Sequence, residues 1–359
     1  MQAVDICVVG AGPGGALASY LLAQKGFSVL LVERTNQSNK AFRGEHVNEE
    51  GERILKQYGF FDEIEARGLL RMEQIEYWHN GELVKMILAD PAVGHLGIHV
   101  PQSHLLDVLL EHAMKLPNMT YSDQTKLVSL LQNEHGAYTG VEIERNGVRE
   151  KVATKLIVGA DGRFSTVRKL AQLKAPRVKH GYDVLWARIP APADWIPSIK
   201  MALVDDQQLS IFTQTNGFIQ IGWNIPEGSY ASLRKQSFEP FIEQLVEAFP
   251  ELTDTVRTHI RSWSDFVLLD VFSALADDWG HDGVILIGDA AHTMTPTGAF
   301  GLNCSLRDAE IVAQLLTPDQ METFGQLNCA AARKKEVAKI QAFQREKEQQ
   351  FSNQFALLV

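Results

Sequence analysis

Cysteine is scarce in this sequence. Its 359 residues contain three, Cys7, Cys304 and Cys329, far apart and without a C-x-x-C pair. Neither a disulfide framework nor a structural zinc site is expected, and a reducing cytoplasm suits the chain. A basic excess is also missing: 34 Lys and Arg face 44 Asp and Glu for a net charge of −10, with no basic run or stripe. Nucleic acid and anionic membrane are therefore not expected as partners. No stretch of about 18 uninterrupted apolar residues occurs, so no membrane span is expected. The start lacks a basic n-region and moves straight into a strand carrying Asp5, which argues against a signal peptide. Internal repeats, low-complexity tracts and Pro/Ser-rich linkers are absent. Eleven histidines are present, yet no pair has metal-ligand spacing.

What is present is an ordinary globular composition, 45% hydrophobic and 22% charged, in a chain long enough for one large or two intimate domains. Residues 8–34, "VVGAGPGGALASYLLAQKGFSVLLVER", read as a strand, a glycine turn, a helix and a second strand. Gly10, Gly12 and Gly15 fit G-x-G-x-x-G. Gly10 allows the tight turn, Gly12 has no Cβ to block a pyrophosphate, and Gly15 lets helix and strand pack closely. The helix N-terminus then faces phosphates. Glu33 ends the second strand 18 residues after Gly15, where a carboxylate accepts the hydroxyls of an adenosine ribose. A 2′-phosphate would be repelled there, which makes NADP the poorest candidate at this turn. The turn alone does not separate NAD from FAD.

Along the chain, "NEEGERILKQYGFFDEIEARG" has helical periodicity, with Ile54, Leu55, Phe60, Phe61 and Ile64 as buried positions. Hairpins are expected at Asn80-Gly81 and in "GVEIERNGVREKV", because Asn-Gly suits a type I′ turn. "SHLLDVLLEHAMKL" reads as a helix capped by Ser103. From about Tyr182 to Val271 the pattern changes to alternating strands with a bend at Asn216-Gly217 and one helix, "FEPFIEQLVEAF", implying an antiparallel sheet. The nucleotide-fold pattern resumes at "GVILIGDAAH". The expected organisation is therefore α/β and interleaved: a discontinuous cofactor domain of residues 1–75, 100–180 and 276–359, and a β-sheet substrate domain of 76–99 and 181–275.

Two further stretches decide the cofactor. "KLIVGADGRFSTVRKL" (155–170) is a buried strand ending at Asp161-Gly162 before a helix near Ser165. "GVILIGDAAHTMTPTGAFGLNCSLRDAEIVAQLL" (283–316) is a strand to Gly288-Asp289, then a loop with Pro296, Gly298 and Gly301, then a helix. A carboxylate at such a strand end accepts a hydroxyl hydrogen bond, most simply from a ribitol chain. The free N–H groups at the helix start, Gly301-Leu302-Asn303, suit the anionic edge of a reduced isoalloxazine. A nicotinamide cofactor has neither feature, so the expectation is FAD.

With these motifs in this order, the sequence resembles the single-component, FAD-dependent aromatic monooxygenases of the para-hydroxybenzoate hydroxylase-like class A family, over nearly the whole chain. The resemblance implies a Rossmann-like FAD-binding domain of the GR2 type beside the sheet domain. It also implies FAD contacts at Gly10, Gly12, Pro13, Gly14, Gly15, Glu33, Arg34, Arg43, Gln102, Val128, Asp161, Gly162, Gly288, Asp289, Gly298, Gly301, Leu302 and Asn303. The implied chemistry is reduction of FAD by NADH or NADPH, addition of O2 at the flavin C4a, and oxygen transfer from the hydroperoxide to an electron-rich ring. Pro296 would shape the O2 pocket, and the N–H groups of Gly301 and Leu302 would hold flavin charge. Substrate-lining candidates are Trp186, Phe212 and Trp223 from the sheet and Phe300 beside the flavin; His292 is expected to be structural, and His46, His99 and His180 solvated or in the core. One departure stands out: the family's Pro-x-Gly-Gly-x-Gly reads Pro296-Thr297-Gly298-Ala299-Phe300-Gly301 here.

Three other functions compete. A flavin-dependent halogenase shares the fold, and "IGWNIP" (221–226) partly matches its W-x-W-x-I-P signature, but "LLRMEQIEYW" lacks the lysine expected after the early helix. A double-bond reductase shares the FAD motifs and a Gly-Glu pair like Gly44-Glu45. A flavoprotein acting on a protein partner would need an open groove.

Overall fold

The computed structural model describes residues 2–36, 45–205, 207–317 and 329–351. It divides into two compact units, one of Met1–Arg67, Gln102–Val178 and Ser273–Ala342, the other of Gly68–Pro101, Lys179–Phe272 and Phe343–Val359. The last segment departs from expectation: residues from Phe343 onward group with the sheet unit. A reason is visible there, since Glu348 pairs with His180 Nδ1 at 2.7 Å and accepts from Tyr182 Oη at 3.0 Å.

The first unit is built on an eight-stranded sheet. Its centre is parallel, in the order Val284–Leu286, Val148–Gly159, Gln2–Val9, Val29–Val32 and Met119–Ser122. These strands read as unbroken apolar runs because both faces are covered; all four residues of Val29–Val32 are buried. The helix Pro13–Gln24 crosses between the first two strands in sequence, and Cys7, Ile157, Leu286 and Val337 lie wholly buried in one core. An antiparallel branch, Thr125–Gln132 and Tyr138–Arg145, extends from the N-terminal half of Val148–Gly159. Its hairpin turns at Asn146 and Gly147 with φ of 52° and 79°, the doubly positive φ of a type I′ turn.

The early helical segment forms two helices, Glu49–Gln57 and Phe61–Arg67, interrupted where Gly59 takes φ 77°. The next helix, Gln102–Met114, starts one residue before the expected cap, so Ser103 lies exposed inside its first turn.

The second unit is a seven-stranded sheet in the order Val267–Leu269, Tyr182–Pro190, Phe218–Pro226, Gln207–Gln214, Ser198–Val204, Gln74–His79 and Glu82–Leu88. It is not wholly antiparallel: Gln74–His79 runs parallel to Ser198–Val204. No hairpin joins these two strands, whose connection runs through the other unit, so antiparallel pairing is not enforced. The helices Glu239–Ala248 and Thr253–His259 cover one face, with Leu185, Leu209, Ile221, Trp223 and Leu245 wholly buried in that core. Among the described residues, no helix is long and apolar enough to cross a membrane.

Candidate cofactor site

The first turn divides its glycines by role. Gly10 has φ 105°, and a Cβ there would stand 2.4 Å from the Ala160 carbonyl oxygen; one on Gly15 would stand 1.9 Å from that of Gly10. A Cβ on Gly14 would meet the Ser305 carbonyl oxygen at 2.9 Å. Those three serve packing, and for Gly14 the neighbour is the late helix Phe300–Leu315 rather than a ligand. Gly12 differs: nothing lies within 4 Å of a Cβ built there. It is the N-cap of Pro13–Gln24 without a side-chain cap, so the helix's first N–H groups and dipole face open space. Pro13 occupies the first helical position, where a missing N–H is harmless.

Glu33 closes over this turn. Its Oε2 accepts the Ala11 N–H at 2.9 Å, and its Oε1 accepts the Thr35 N–H and hydroxyl at 3.0 and 2.7 Å. These bonds fix the carboxylate at the end of Val29–Val32, over the glycine turn. Arg34 is exposed beside it, and Val128 is half-buried on Thr125–Gln132. Gln102, at the start of its helix and 8% exposed, has a buried Oε1 without a hydrogen-bond partner among the described residues. A buried amide oxygen left unmatched costs free energy that a ligand donor relieves. Arg43 and Gly44 lie outside the described residues.

The two strand-end carboxylates behave differently. Asp161 accepts from Ser165 Oγ at 2.5 Å and from the Thr166 and Val167 N–H groups at 2.6 and 3.1 Å. Ser165 is the N-cap of the helix Thr166–Leu170, accepting the Arg168 N–H, and Asp161 adds acceptors for the N–H groups of the first two helical residues, so its carboxylate is engaged by its own loop. Burial pushes its pKa up against those hydrogen bonds. Gly162, at φ 81°, faces open space. Asp289 is half-buried, and its Oδ1 comes within 3.9 Å of a Cβ placed on Gly301, which sets it against the N-terminus of Phe300–Leu315.

Beneath Gly288 lies a network that no sequence motif announces. Asp308 Oδ2 accepts the Gly288 N–H at 2.8 Å and meets His292 Nε2 at 2.5 Å, while Asp308 Oδ1 accepts from Arg333 Nε at 2.8 Å. All three side chains are at most 2% exposed. Burial raises the Asp308 pKa, but the charges and hydrogen bonds of His292 and Arg333 outweigh it and hold the group below its ordinary value. His292 is wholly buried in this network, bonded to Asp308.

In the late loop, Pro296 has φ −68°, Gly298 has φ 74° and Ala299 has φ 54°. Ala299 thus adopts left-handed backbone where the family pattern places its second glycine. The Phe300 ring lies against Gly298, since a Cβ there would be 2.4 Å from Phe300 Cε2. That contact assigns Phe300 to shaping its own loop. Asn303 is likewise reassigned: its Oδ1 accepts the Asn48 N–H at 3.0 Å, and its Nδ2 donates to the carbonyls of His46 and Ala299 at 3.1 and 3.0 Å. The side chain clamps the late helix to the residues before Glu49–Gln57, leaving the backbone N–H groups of Gly301 and Leu302 at the helix start.

In the sheet unit, side-chain parity separates the three aromatic candidates. Trp186 pairs with Gly222 and Phe212 with Gln220, which puts both rings on one face with centroids 6.0 Å apart. Gly222 makes room for Trp186, whose ring would be 2.5 Å from a Cβ at that position. His99 stacks on Phe212 at 6.0 Å, with Nδ1 2.8 Å from the Thr213 carbonyl oxygen. Trp223 pairs with Leu185 and Leu209 on the opposite face, wholly buried and stacked 3.6 Å from Phe241. It is core, not pocket wall. Arg188 is exposed over the Phe218 ring.

Open space at Gly12 and Gly162, the unmatched Gln102 oxygen and two helix N-termini together fit a large phosphate-bearing cofactor, and the positions match a flavin dinucleotide protein. The family model for the FAD binding domain matches residues 3–319, and the chain belongs to that family. It is 34% identical over 310 residues to 6-methylpretetramide 4-monooxygenase of Streptomyces rimosus, covering 85% of this chain and 73% of that protein. It is 25% identical over 337 residues to 6-hydroxynicotinate 3-monooxygenase of Bordetella bronchiseptica, covering 86% and 82%. The crystal structure of P. aeruginosa PqsL in complex with 2-aminobenzoylacetate has the same fold, with TM-score 0.84 at 20% identity over 97% of this chain and 96% of that one. The chain is an FAD-dependent oxidoreductase, a monooxygenase of aromatic compounds.

Proposed function

We propose that the chain hydroxylates a small or polycyclic hydroxyaromatic substrate with NADH or NADPH as reductant, and that the residues above divide the work. The Gly12 opening and the N-terminus of Pro13–Gln24 take the pyrophosphate. Glu33 accepts the ribose hydroxyls, the Gln102 oxygen takes a cofactor donor, and Asp289 accepts a ribitol hydroxyl. When bound, FAD supplies the redox chemistry, accepting hydride from the reductant and activating O2 for transfer of one oxygen atom. The Gly301 and Leu302 N–H groups stabilise negative charge on the ring edge presented to them, fixed in place by the Asn303 clamp. Pro296 and the Gly298-Ala299 bend hold the loop before that helix. An aromatic substrate rests on the Trp186 and Phe212 face, where planar rings gain from stacking. The buried, free cysteines Cys7 and Cys304 fit a reducing, cytoplasmic setting.

The observation that carries this reading is the open Gly12 turn at a helix N-terminus without a side-chain cap. The test follows NADH and NADPH oxidation, O2 uptake and peroxide together across phenols, 6-hydroxynicotinate and polycyclic hydroxyaromatics. Oxidation accelerated by one compound with little peroxide establishes coupled hydroxylation. A requirement for halide and an external reduced flavin would instead establish a halogenase, and inertness to O2 a reductase.

A further inference from the structure

We propose that the C-terminal helix Cys329–Gln349 is a positioning element for the flavin, acting through Arg333 and Gln341 on the backbone of residues 288–293, so that FAD binding and docking of this helix are linked. Neither residue belongs to a nucleotide motif. Both point into the first unit on one stripe: Arg333, Val337 and Gln341 recur every fourth residue, at 1%, 0% and 6% exposure.

The two ends of that stripe hold the two ends of the same segment. Arg333 Nε donates to Asp308, which takes the Gly288 N–H and faces His292, so the guanidinium sits one side chain away from the strand-end glycine. Glu336 lies one turn on, with its carboxylate 2.5 Å from Arg333 Nη1 as an ion pair. Gln341 Nε2 donates to the carbonyls of Thr293 and Ala274, both at 3.0 Å. Asp289 lies between these anchors, and its placement against the Gly301 end of the late helix depends on a backbone the helix holds from behind. A lysine at 333 would keep the charge but lose the planar fork that serves Asp308 and Glu336 together. Because binding couplings are reciprocal, whatever the helix contributes to FAD affinity, FAD returns to the helix.

The inference rests on the reading that Gly288 and Asp289 touch FAD. It is tested on the full chain with FAD removed, by FAD titration, by apoprotein melting, and by amide hydrogen exchange with and without FAD. Gln341→Leu and Arg333→Lys should each raise the FAD Kd about tenfold. In the parent, FAD should slow exchange at 333–341 more than it does in the sheet-unit strand Phe218–Pro226. Parental Kd values with a lowered apoprotein melting temperature would mark a merely structural role and overturn the linkage. Exchange at 333–341 slowed no more than in the control strand would overturn it as well, even if a variant failed to fold. Failure of the parent to bind FAD would overturn the flavin reading itself.

Discussion

The strands Val148–Gly159 and Val284–Leu286 lie side by side and parallel, with Ile157 opposite Val284, and each runs into a turn with Asp next to Gly. In sequence the two ends look like duplicates. In space Asp161 turns back onto the N-cap Ser165 and the first N–H groups of the helix behind it, whereas Asp289 stands against the start of a helix reached only after a longer loop. The difference originates in the downstream chain. After Asp161 the helix begins within five residues, close enough for the carboxylate to reach its N–H groups. After Asp289 the chain makes a longer excursion, the helix begins only at Phe300, and the backbone is fixed instead by Asp308 from below. Similar Asp and Gly pairs at neighbouring strand ends thus end up in different surroundings, one carboxylate against its own loop and the other against the start of a more distant helix, according to how the downstream chain returns.

The largest effect expected is from Asp308→Ala, which removes the buried carboxylate that Arg333, His292 and the Gly288 N–H share and leaves those groups buried without it. It should lower stability by about 3–5 kcal/mol, read from the urea midpoint of the apoprotein. A loss under about 1 kcal/mol would show that the Gly288 turn is not anchored there. Acid sharpens the contrast. The Asp308 pKa is lowered from its ordinary 3.8, so the unfolded chain binds the proton first and this contribution is lost as pH falls below that value. The Asp161 pKa is raised, so the folded chain binds the proton first, and stability falls as pH rises from 3.8 through the raised value. Asp161→Asn should flatten the second slope and leave the first. An unchanged slope above pH 3.8 would count against the burial argument.

Next come the matched substitutions at the strand ends. Asp161→Ala removes the acceptor of two first-turn N–H groups and of Ser165 Oγ and should cost about 1–2 kcal/mol of apoprotein stability. Asp289→Ala should raise the FAD Kd about tenfold. If Asp161→Ala weakened FAD binding at constant stability, the two carboxylates would be equivalent and the comparison would fail. Equal yellow colour after purification of Asp289→Ala and parent would remove Asp289 from the site.

Much of the first unit was legible because its signals are local. The glycine spacing, the strand ending at Glu33 and the apolar stripe of Ile54, Leu55 and Ile64 each span only a few turns of chain. Asp308 is 25 residues from Arg333 and 16 from His292, and such pairing exists only once the late strand, the late helix and the C-terminal helix have packed. Its one trace in sequence is an acid on the buried side of "CSLRDAEIV", four residues from Cys304 and from Val312. In the sheet unit, the composition announced strands but not register. Trp186 and Trp223 look alike as candidates, and only the pairing of Trp186 with Gly222 puts Trp223 on the far face. The parallel neighbour Gln74–His79 has no local signature at all, because its partner lies more than a hundred residues away.

The smallest effect concerns the late loop, where this chain departs from the family pattern. Gly298 and Ala299 both sit at positive φ, and for Ala299 at φ 54° the Cβ makes that conformation unfavourable by about 1–2 kcal/mol relative to right-handed backbone. Glycine removes the strain but gains freedom in the unfolded chain, a term of about 0.4–1 kcal/mol of opposite sign. Ala299→Gly should therefore raise stability by between about 0 and 1.6 kcal/mol, and the Asn303 bond to the Ala299 carbonyl should survive because it involves only backbone at 299. Matched thermal melts of the two apoproteins measure the difference. A drop in stability would mean that the loop does not hold left-handed backbone at 299, and the alanine would then be an unstrained replacement for the family's glycine.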